Sequence, residues 1–254
     1  MVRQMEQAAR VVAMAHHVVV LTGAGVSAES KIPTFRDTMD GLWKSFDPQT
    51  LATPEAFARD PATVTKWYDW RRQRCLEAEP NPGHCALAQL ETWLTDRDRH
   101  MTILTQNVDG LHQRAGSARV VELHGSIMTW RCTTTGKELT PPPASFDTYP
   151  PRSPFDSASG LLRPAVVWFG EMLPTEALEA SQQALDECDV FMSIGTSAVV
   201  YPAAGFVEVA RERGATTIEI NPEPTPMTYR VDIHVCGRSG VIVPDLVQQV
   251  TELK

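Results

Sequence analysis

The run Val18-Val19-Val20-Leu21 leads through Thr22 into Gly23-Ala24-Gly25-Val26-Ser27-Ala28-Glu29. An apolar, β-branched run that ends in Gly-x-Gly presents backbone N–H groups at the end of a strand with little side chain in the way. A dinucleotide pyrophosphate can approach closely there. The stretch continues into Pro33-Thr34-Phe35-Arg36, a polar, aromatic and cationic cluster suited to closing over a nucleotide. Gly23-x-Gly25-x-x-Ala28 keeps the first two fingerprint glycines and a small residue in third place. No acidic residue stands at the end of a second strand about 20 positions on, where a ribose-binding carboxylate usually falls. Taken alone, the glycines would also serve a tight strand-to-helix turn that binds nothing.

The elements that must position this loop follow from periodicity. Residues 4–15 carry Met5, Ala8, Val11, Val12 and Ala15 at helical spacing. Short apolar runs at 18–22, 101–105, 119–123, 189–194, 216–220 and 231–235 read as strands, with helical stretches at 84–94 and 202–212. Strands alternating with helices imply an α/β fold, a parallel sheet covered on both faces. Several of these strands end in polar or glycine-bearing signatures: Thr22-Gly23, Thr105-Gln106-Asn107, His124-Gly125, Gly195-Thr196-Ser197 and Asn221-Pro222-Glu223. Ligands bind at the carboxyl ends of the strands in an open parallel sheet. Two regions break the alternation. Residues 38–80, with Trp43, Phe46, Phe57, Trp67, Tyr68 and Trp70, read as a helical insertion. The Pro- and Ser-rich stretch 140–159 within 128–164 reads as loop or partly disordered chain.

Composition narrows the classes. The 254 residues hold 23 Lys and Arg against 31 Asp and Glu, a net charge of −8. The densest basic patch, Arg71-Arg72-Gln73-Arg74, is short and looks like solvated surface charge on a helix, so no nucleic-acid partner is expected. Cys75, Cys85, Cys132, Cys188 and Cys236 are scattered, odd in number and form no C-x-x-C pair. This argues against a disulfide framework and fits a reducing cytoplasm. No apolar run approaches a membrane span and no leader pattern opens the chain, so no membrane partner is expected. A monomer is expected.

Five motifs in a fixed order carry a family resemblance: GAGVSAES with PTFR, then Thr105–His112 (TQNVDGLH), then His124-Gly125-Ser126, then Gly195-Thr196-Ser197, then Asn221-Pro222-Glu223. From about residue 18 to about residue 245 the chain resembles the sirtuins, NAD-dependent protein-lysine deacylases. The resemblance implies a Rossmann-like NAD-binding domain from 1–37, 81–127 and 165–254. It implies a small domain from the helical insertion 38–80 and a degenerate zinc module at 128–164.

The resemblance also assigns site residues. Gly23, Ala24, Gly25, Ser27, Ala28 and Glu29, with Thr34, Phe35, Arg36 and Trp43, match the loop over the NAD phosphates and nicotinamide ribose. Gln106, Asn107, Val108 and Asp109 match the ribose and nicotinamide pocket. Gly195, Thr196, Ser197, Asn221, Pro222, Glu223 and Ser239 match the adenosine site. In the family, an acyl-lysine amide oxygen attacks the anomeric carbon, nicotinamide leaves, and a ribose hydroxyl must then lose a proton. Histidine suits that task because its ordinary pKa lies near working pH, and His124 is the candidate base, while Asn107 and Asp109 can hold the carboxamide and a water by hydrogen bonds. His84 and His112 are expected to be structural.

On the substrate side, Val167, Trp168, Phe169 and Gly170 resemble the segment that pairs with the peptide backbone, a mode that reads few side chains. Tyr68 and Arg71 share a helix face and match the Tyr-x-x-Arg pair of the branch that removes succinyl and malonyl groups. A guanidinium fork and a phenol suit a carboxylate. Acyl-lysine proteins or peptides are the implied partners, with acetyl turnover retained alongside. Of the family's four zinc cysteines only Cys132 remains; Thr135 stands where its partner belongs, so no metal is expected. Two other readings share the NAD motifs: a protein ADP-ribosyltransferase, and a non-catalytic NAD or ADP-ribose sensor.

Overall fold

The computed structural model describes residues 2–32, 48–156 and 158–253. In chain order its elements are α1 (Val2–Met14), β1 (His17–Thr22), α2 (Ala24–Ser27), α3 (Pro48–Leu51), α4 (Pro54–Arg59), α5 (Pro61–Glu77), α6 (Pro82–Thr95), β2 (His100–Thr105), α7 (Leu111–Arg114), β3 (Val120–Glu122), β4 (Gly125–Cys132), β5 (Glu138–Leu139), β6 (Leu162–Val166), α8 (Thr175–Asp186), β7 (Val190–Ile194), α9 (Phe206–Glu212), β8 (Thr216–Asn221), β9 (Ile233–Cys236) and α10 (Ser239–Glu252). The strands read from the apolar runs at 18–22, 101–105, 119–123, 189–194, 216–220 and 231–235 are β1, β2, β3, β7, β8 and β9, with ends shifted by a residue or two.

These six strands form one parallel sheet in the order β3-β2-β1-β7-β8-β9. β1 is buried along its whole length because alternate side chains feed two cores. Val18 and Val20 pack with Met5 and Val12 of α1, Leu87 and Leu90 of α6, and Leu246 and Val250 of α10. Val19 and Leu21 point the other way, toward Leu185 of α8 and Val207 and Ala210 of α9. Burial on both faces is why the strand reads as a continuous apolar run rather than an alternating one. The chain leaves β1 toward β2 on one side and reaches β7 on the other. The strand order therefore reverses between β1 and β7, and that switch point is the crevice where such sheets take ligands.

A second sheet, β5-β4-β6, is antiparallel and packs on α3, α4 and α5. Leu51, Val64, Trp67, Tyr68, Trp130, Leu162 and Trp168 form its core. Thr53 and Asp60 start α4 and α5, their side chains accepting from the Ala56 and Thr63 amides, each before a proline in the first turn. The 140–159 stretch is irregular, as its composition predicts, but it packs: Phe146 lies 4.6 Å from Trp130, centroid to centroid. One expectation is corrected here. Arg72 is not surface charge but 2% exposed, paired with buried Asp69 three residues earlier.

Candidate active site

The loops that follow β1 and β7 meet backbone to backbone. The Gly25 amide donates to the Gly195 carbonyl at 2.8 Å, and the Gly23 amide donates to the Ile194 carbonyl at 3.2 Å. A Cβ on Gly25 would lie 2.7 Å from the Gly195 oxygen, and one on Gly195, held at φ +61°, would lie 2.5 Å from the Val26 nitrogen. Side chains are excluded at both positions, which leaves Ala24, Gly25 and Ala28 exposed at the mouth of the crevice. Asn81, missed in the sequence, fixes this loop from below. It caps α6, and its amide donates to the Val26 carbonyl at 2.7 Å and to the Ser30 hydroxyl at 3.1 Å. The Asn-Pro step before a helical run was the available signal.

Behind the loop, the Ser27 hydroxyl donates to Asp109 Oδ2 at 2.7 Å. Asn107 Nδ2 donates to the Gly23 carbonyl at 3.1 Å and to the Ser27 oxygen at 3.0 Å. Asp109 Oδ1 takes the Leu111 amide at 2.9 Å, which turns the chain into α7. Val108 faces the other way, against the core of the smaller unit. His84 and His112 stack edge to face at 4.8 Å beneath these groups. His84 Nδ1 accepts from the Asn81 backbone N–H at 3.3 Å, and its Nε2 stands 3.5 Å from the Ser27 hydroxyl. His112 Nε2 contacts the Thr22 hydroxyl at 3.0 Å. Burial lowers the pKa of both, to about 3 for His112. They are neutral supports of the pocket.

His124 follows β3 at the carboxyl edge of the sheet. Its Nδ1 lies 2.9 Å from the Gln106 carbonyl. A carbonyl only accepts, so Nδ1 carries the proton and Nε2 keeps its lone pair. Burial lowers the His124 pKa, with the Gln106 contact acting the opposite way. Gly125 follows at φ +72°, and a Cβ there would fall 2.1 Å from the Ala165 carbonyl. Only glycine lets β4 start against β6 at that point, so the histidine is carried on a fixed turn.

Toward the far side of the sheet, Gln106 Nε2 donates to the Thr196 hydroxyl at 3.1 Å, and Asn221 Nδ2 donates to the Thr196 carbonyl at 3.0 Å. Thr196 thus ties the ends of β2 and β8 across the head of β1. Ser197 is half-buried, and Pro222 and Glu223 are exposed at the rim. Glu29 accepts from the Gly240 amide at 2.6 Å and lies 3.4 Å from the Ser239 hydroxyl. It holds the start of α10 against the glycine loop.

The smaller unit supplies the other wall. The Val167 amide donates to the His124 carbonyl at 2.9 Å, and the Phe169 amide donates to the Ala52 carbonyl at 2.9 Å. Val167–Gly170 lies past the end of β6 and belongs to no strand; Phe169 is exposed and Gly170 turns the chain at φ +87°. Glu171 clasps this segment, accepting from Arg163 at 2.6 and 3.0 Å and from the Trp168 amide at 2.9 Å. Tyr68 is fully buried, and its ring lies 6.2 Å from that of Trp168. Burial raises the Tyr68 pKa, with Arg71 and then Trp168 acting the opposite way. Neither the Tyr68 hydroxyl nor the Trp168 indole N–H has a hydrogen-bond partner among the described residues. Arg71 extends over Trp67 and Tyr68, its Cζ at 4.9 and 5.6 Å from the ring centroids. Thr34, Phe35, Arg36 and Trp43 lie outside the described residues.

Around Cys132 the neighbours are hydroxyls. Its Sγ lies 3.2 Å from the Thr134 hydroxyl, which donates to Asp156 Oδ2 at 2.8 Å. Because the Thr134 proton goes to Asp156, the thiol is the donor in the Cys132–Thr134 contact. Burial acts to raise the Cys132 thiol, but the polar groups of Ser153, Thr134 and Thr135 act the other way and bring it to about 6. Among the described residues no group of three or more His, Cys, Asp or Glu is placed to hold a metal ion. One thiolate among hydroxyls does not fit tetrahedral structural zinc.

A family model described as the Sir2 family matches residues 23–202. The NAD-dependent protein deacylase 2 of Pyrobaculum aerophilum is 50% identical over 244 residues, covering 95% of this chain and 94% of the relative. The NAD-dependent protein deacylase of Aquifex aeolicus is 51% identical over 218 residues, covering 86% and 88%. A crystal structure of a Sir2 homologue in complex with NAD superposes with a TM-score of 0.89 at 44% identity, covering 97% of this chain and 94% of that one. The family match and the glycine crevice with its histidine and Ser27–Asn107–Asp109 group lead to one conclusion: this chain belongs to the Sir2 family.

Proposed function

We propose that this enzyme removes acidic acyl groups, succinyl and malonyl, from protein lysines, with acetyl turnover retained. At the coarser level the chain is an NAD-dependent protein deacylase that transfers the acyl group to ADP-ribose. NAD supplies the electrophilic anomeric carbon and the nicotinamide leaving group. Gly23, Gly25 and Gly195 shape the crevice for its phosphates. Ser27, Asn107 and Asp109 form the hydrogen-bonded floor for its nicotinamide end. Thr196, Ser197, Asn221 and Ser239 stand on the adenosine side. His124 Nε2, with its lone pair set by the Gln106 contact, takes the proton from a ribose hydroxyl. Val167–Gly170 meets the peptide backbone.

The observation that carries the acyl preference is the fully buried Tyr68 hydroxyl, without a partner among the described residues, one helical turn from Arg71. A buried hydroxyl with no partner costs about 1–3 kcal/mol. Burial pushes the Tyr68 pKa up to about 12, so the phenol stays a donor. A carboxylate at the end of an acyl chain would accept from it and from the Arg71 fork together; an acetyl group would not. We also propose that residues 128–164 close without zinc, around the hydroxyls that face Cys132.

The test is NAD-dependent nicotinamide release with matched succinyl-lysine and acetyl-lysine peptides. Arg71→Met should lower succinyl kcat/KM about ten- to a hundredfold, the worth of a charged hydrogen-bonded pair, and leave acetyl turnover within a few-fold. Equal losses on both peptides would refute the acyl preference. No release with either would refute deacylation and move the weight to ADP-ribosyl transfer or NAD sensing.

A further inference from the structure

Tyr68 and Arg71 are interleaved on α5 with a second pair, Asp69 and Arg72, that faces away from the pocket. Asp69 and Arg72 are 4% and 2% exposed. Arg72 Nε and Nη2 donate to Asp69 Oδ1 at 2.9 and 2.6 Å, and Nη2 also donates to the carbonyls of Pro143 and Ala144 at 3.0 and 3.2 Å. Gln73 Nε2 adds a bond to the Ala144 carbonyl at 2.6 Å. The second oxygen of Asp69 accepts from the Tyr149 hydroxyl. Phe146 closes the cluster, its ring 5.6 Å from the Arg72 Cζ and 4.6 Å from Trp130. The tip of the Pro- and Ser-rich excursion is therefore wrapped around one buried guanidinium on the helix that carries the acyl pocket.

A buried ion pair is weak evidence for net stability, because desolvation of both charges offsets their attraction. It is strong evidence for a defined arrangement. Here each Asp69 oxygen is used, and the guanidinium reaches both the carboxylate and two backbone carbonyls of another segment. Those carbonyls belong to irregular chain with no ladder of its own. The excursion takes its order from α5, and α5 is held in turn at its middle, between Tyr68 and Gln73.

We propose that Asp69, Arg72 and Tyr149 are positioning residues for the acyl pocket, a clamp that sets where α5 presents Tyr68 and Arg71 to the acyl-lysine. None of the three is placed against the reacting atoms. The clamp rests on the reading of Tyr68 and Arg71 as the acyl pocket, and the experiment separates the two. Tyr149→Phe removes one hydrogen bond while keeping the ring beside Phe146. It should raise the KM for the succinyl peptide at least threefold, with kcat within twofold and the KM for NAD unchanged. Asp69→Asn, which removes the charge paired with Arg72, should raise the same KM, and the double variant should fall short of the product of the two single effects, because both act on one connected network. Should Asp69→Asn fail to fold, Tyr149→Phe decides alone.

Unchanged peptide KM in a folded Tyr149→Phe would overturn the clamp. Equal rises in the KM for peptide and for NAD would overturn it as well, since a general loss of structure moves both. Arg71→Met, run beside these variants, reports on the pocket itself. If Arg71→Met leaves the succinyl-to-acetyl ratio unchanged, the acyl reading fails whatever Tyr149→Phe does. If that ratio falls and Tyr149→Phe is silent, only the clamp fails.

Discussion

Gly25 and Gly195 touch through their backbones, amide to carbonyl at 2.8 Å, at the point where the strand order of the sheet reverses. The contact joins the two loops that form the nucleotide crevice, and it has no room for a methyl group. Gly195→Ala places a Cβ 2.5 Å from the Val26 nitrogen on a backbone at φ +61°. The strain and the overlap together should cost at least about 2 kcal/mol. Gly136→Ala is the control: φ is +70° there, but nothing lies within 4 Å of the added Cβ. Urea unfolding should show a larger loss for Gly195→Ala than for Gly136→Ala, and NAD affinity should fall only in the former. Equal losses would mean that the left-handed backbone, not the loop contact, sets the cost.

The pH dependence of turnover follows from the environment of His124. The base form is the neutral ring, and burial holds its pKa below the ordinary 6.5. The acidic limb of kcat/KM should therefore have its midpoint below pH 6.5, since the ring stays deprotonated to lower pH than a solvated histidine. His124→Ala should remove that limb and lower deacylation by about 10²–10⁴-fold, the usual worth of a general base. NAD binding should persist. A midpoint above 6.5, or turnover retained in the variant, would take His124 out of the proton transfer.

His112 makes a separate prediction about acid stability. Its folded pKa is pushed to about 3, by burial first and then by His84, while an unfolded histidine titrates near 6.5. Between those values the unfolded chain binds a proton that the folded chain refuses. Stability is thus fully present above pH 6.5 and is lost as pH falls, at up to about 1.4 kcal/mol per pH unit from this group. His112→Gln should flatten the fall measured between pH 6.5 and 4 by chemical unfolding, after an initial loss at neutral pH. Parallel slopes for the two proteins would show that His112 titrates normally in the fold.

The large sheet was legible in the sequence because β1, β2 and β7 feed apolar side chains to both cores and read as short apolar runs, while β8 and β9 alternate and send Ile218, Ile220, Ile233 and Val235 to one core. The crevice was legible because its geometry demands glycine. The smaller sheet was not. β6 reads Leu-Arg-Pro-Ala-Val, and its Arg163 is buried only because Glu171, eight residues on, clasps it. α10 was obscured by Pro244 in its interior. Arg72 looks like its neighbours Arg71 and Arg74 in sequence; only Asp69, one turn earlier, hinted that it is paired. Ser153, which acts on the Cys132 thiol, is found by no spacing rule, because a hydroxyl in a Pro- and Ser-rich stretch carries no ligand signature. Asn81 and its following proline were a readable helix start.

The surroundings of Cys132 bear on the proposal that residues 128–164 close without zinc. In a zinc module the metal joins two segments that have little core of their own, and chelators unfold such modules. Here the turn after β4 is joined to the returning chain by the Thr134 hydroxyl to Asp156 at 2.8 Å, by the Thr133 amide to the Leu161 carbonyl at 2.9 Å, and by the Leu161 amide to the Thr133 hydroxyl at 3.1 Å. None of these bonds needs a metal. Prolonged treatment with a strong zinc chelator should leave both the thermal midpoint and deacylase turnover unchanged, and elemental analysis should find zinc far below one per chain. Asp156→Ala, which removes the acceptor of Thr134, should lower the thermal midpoint modestly and expose 150–160 to protease. Stoichiometric zinc, or a midpoint that falls on chelation and returns with added zinc, would mean that Cys132 recruits ligands other than those that surround it here.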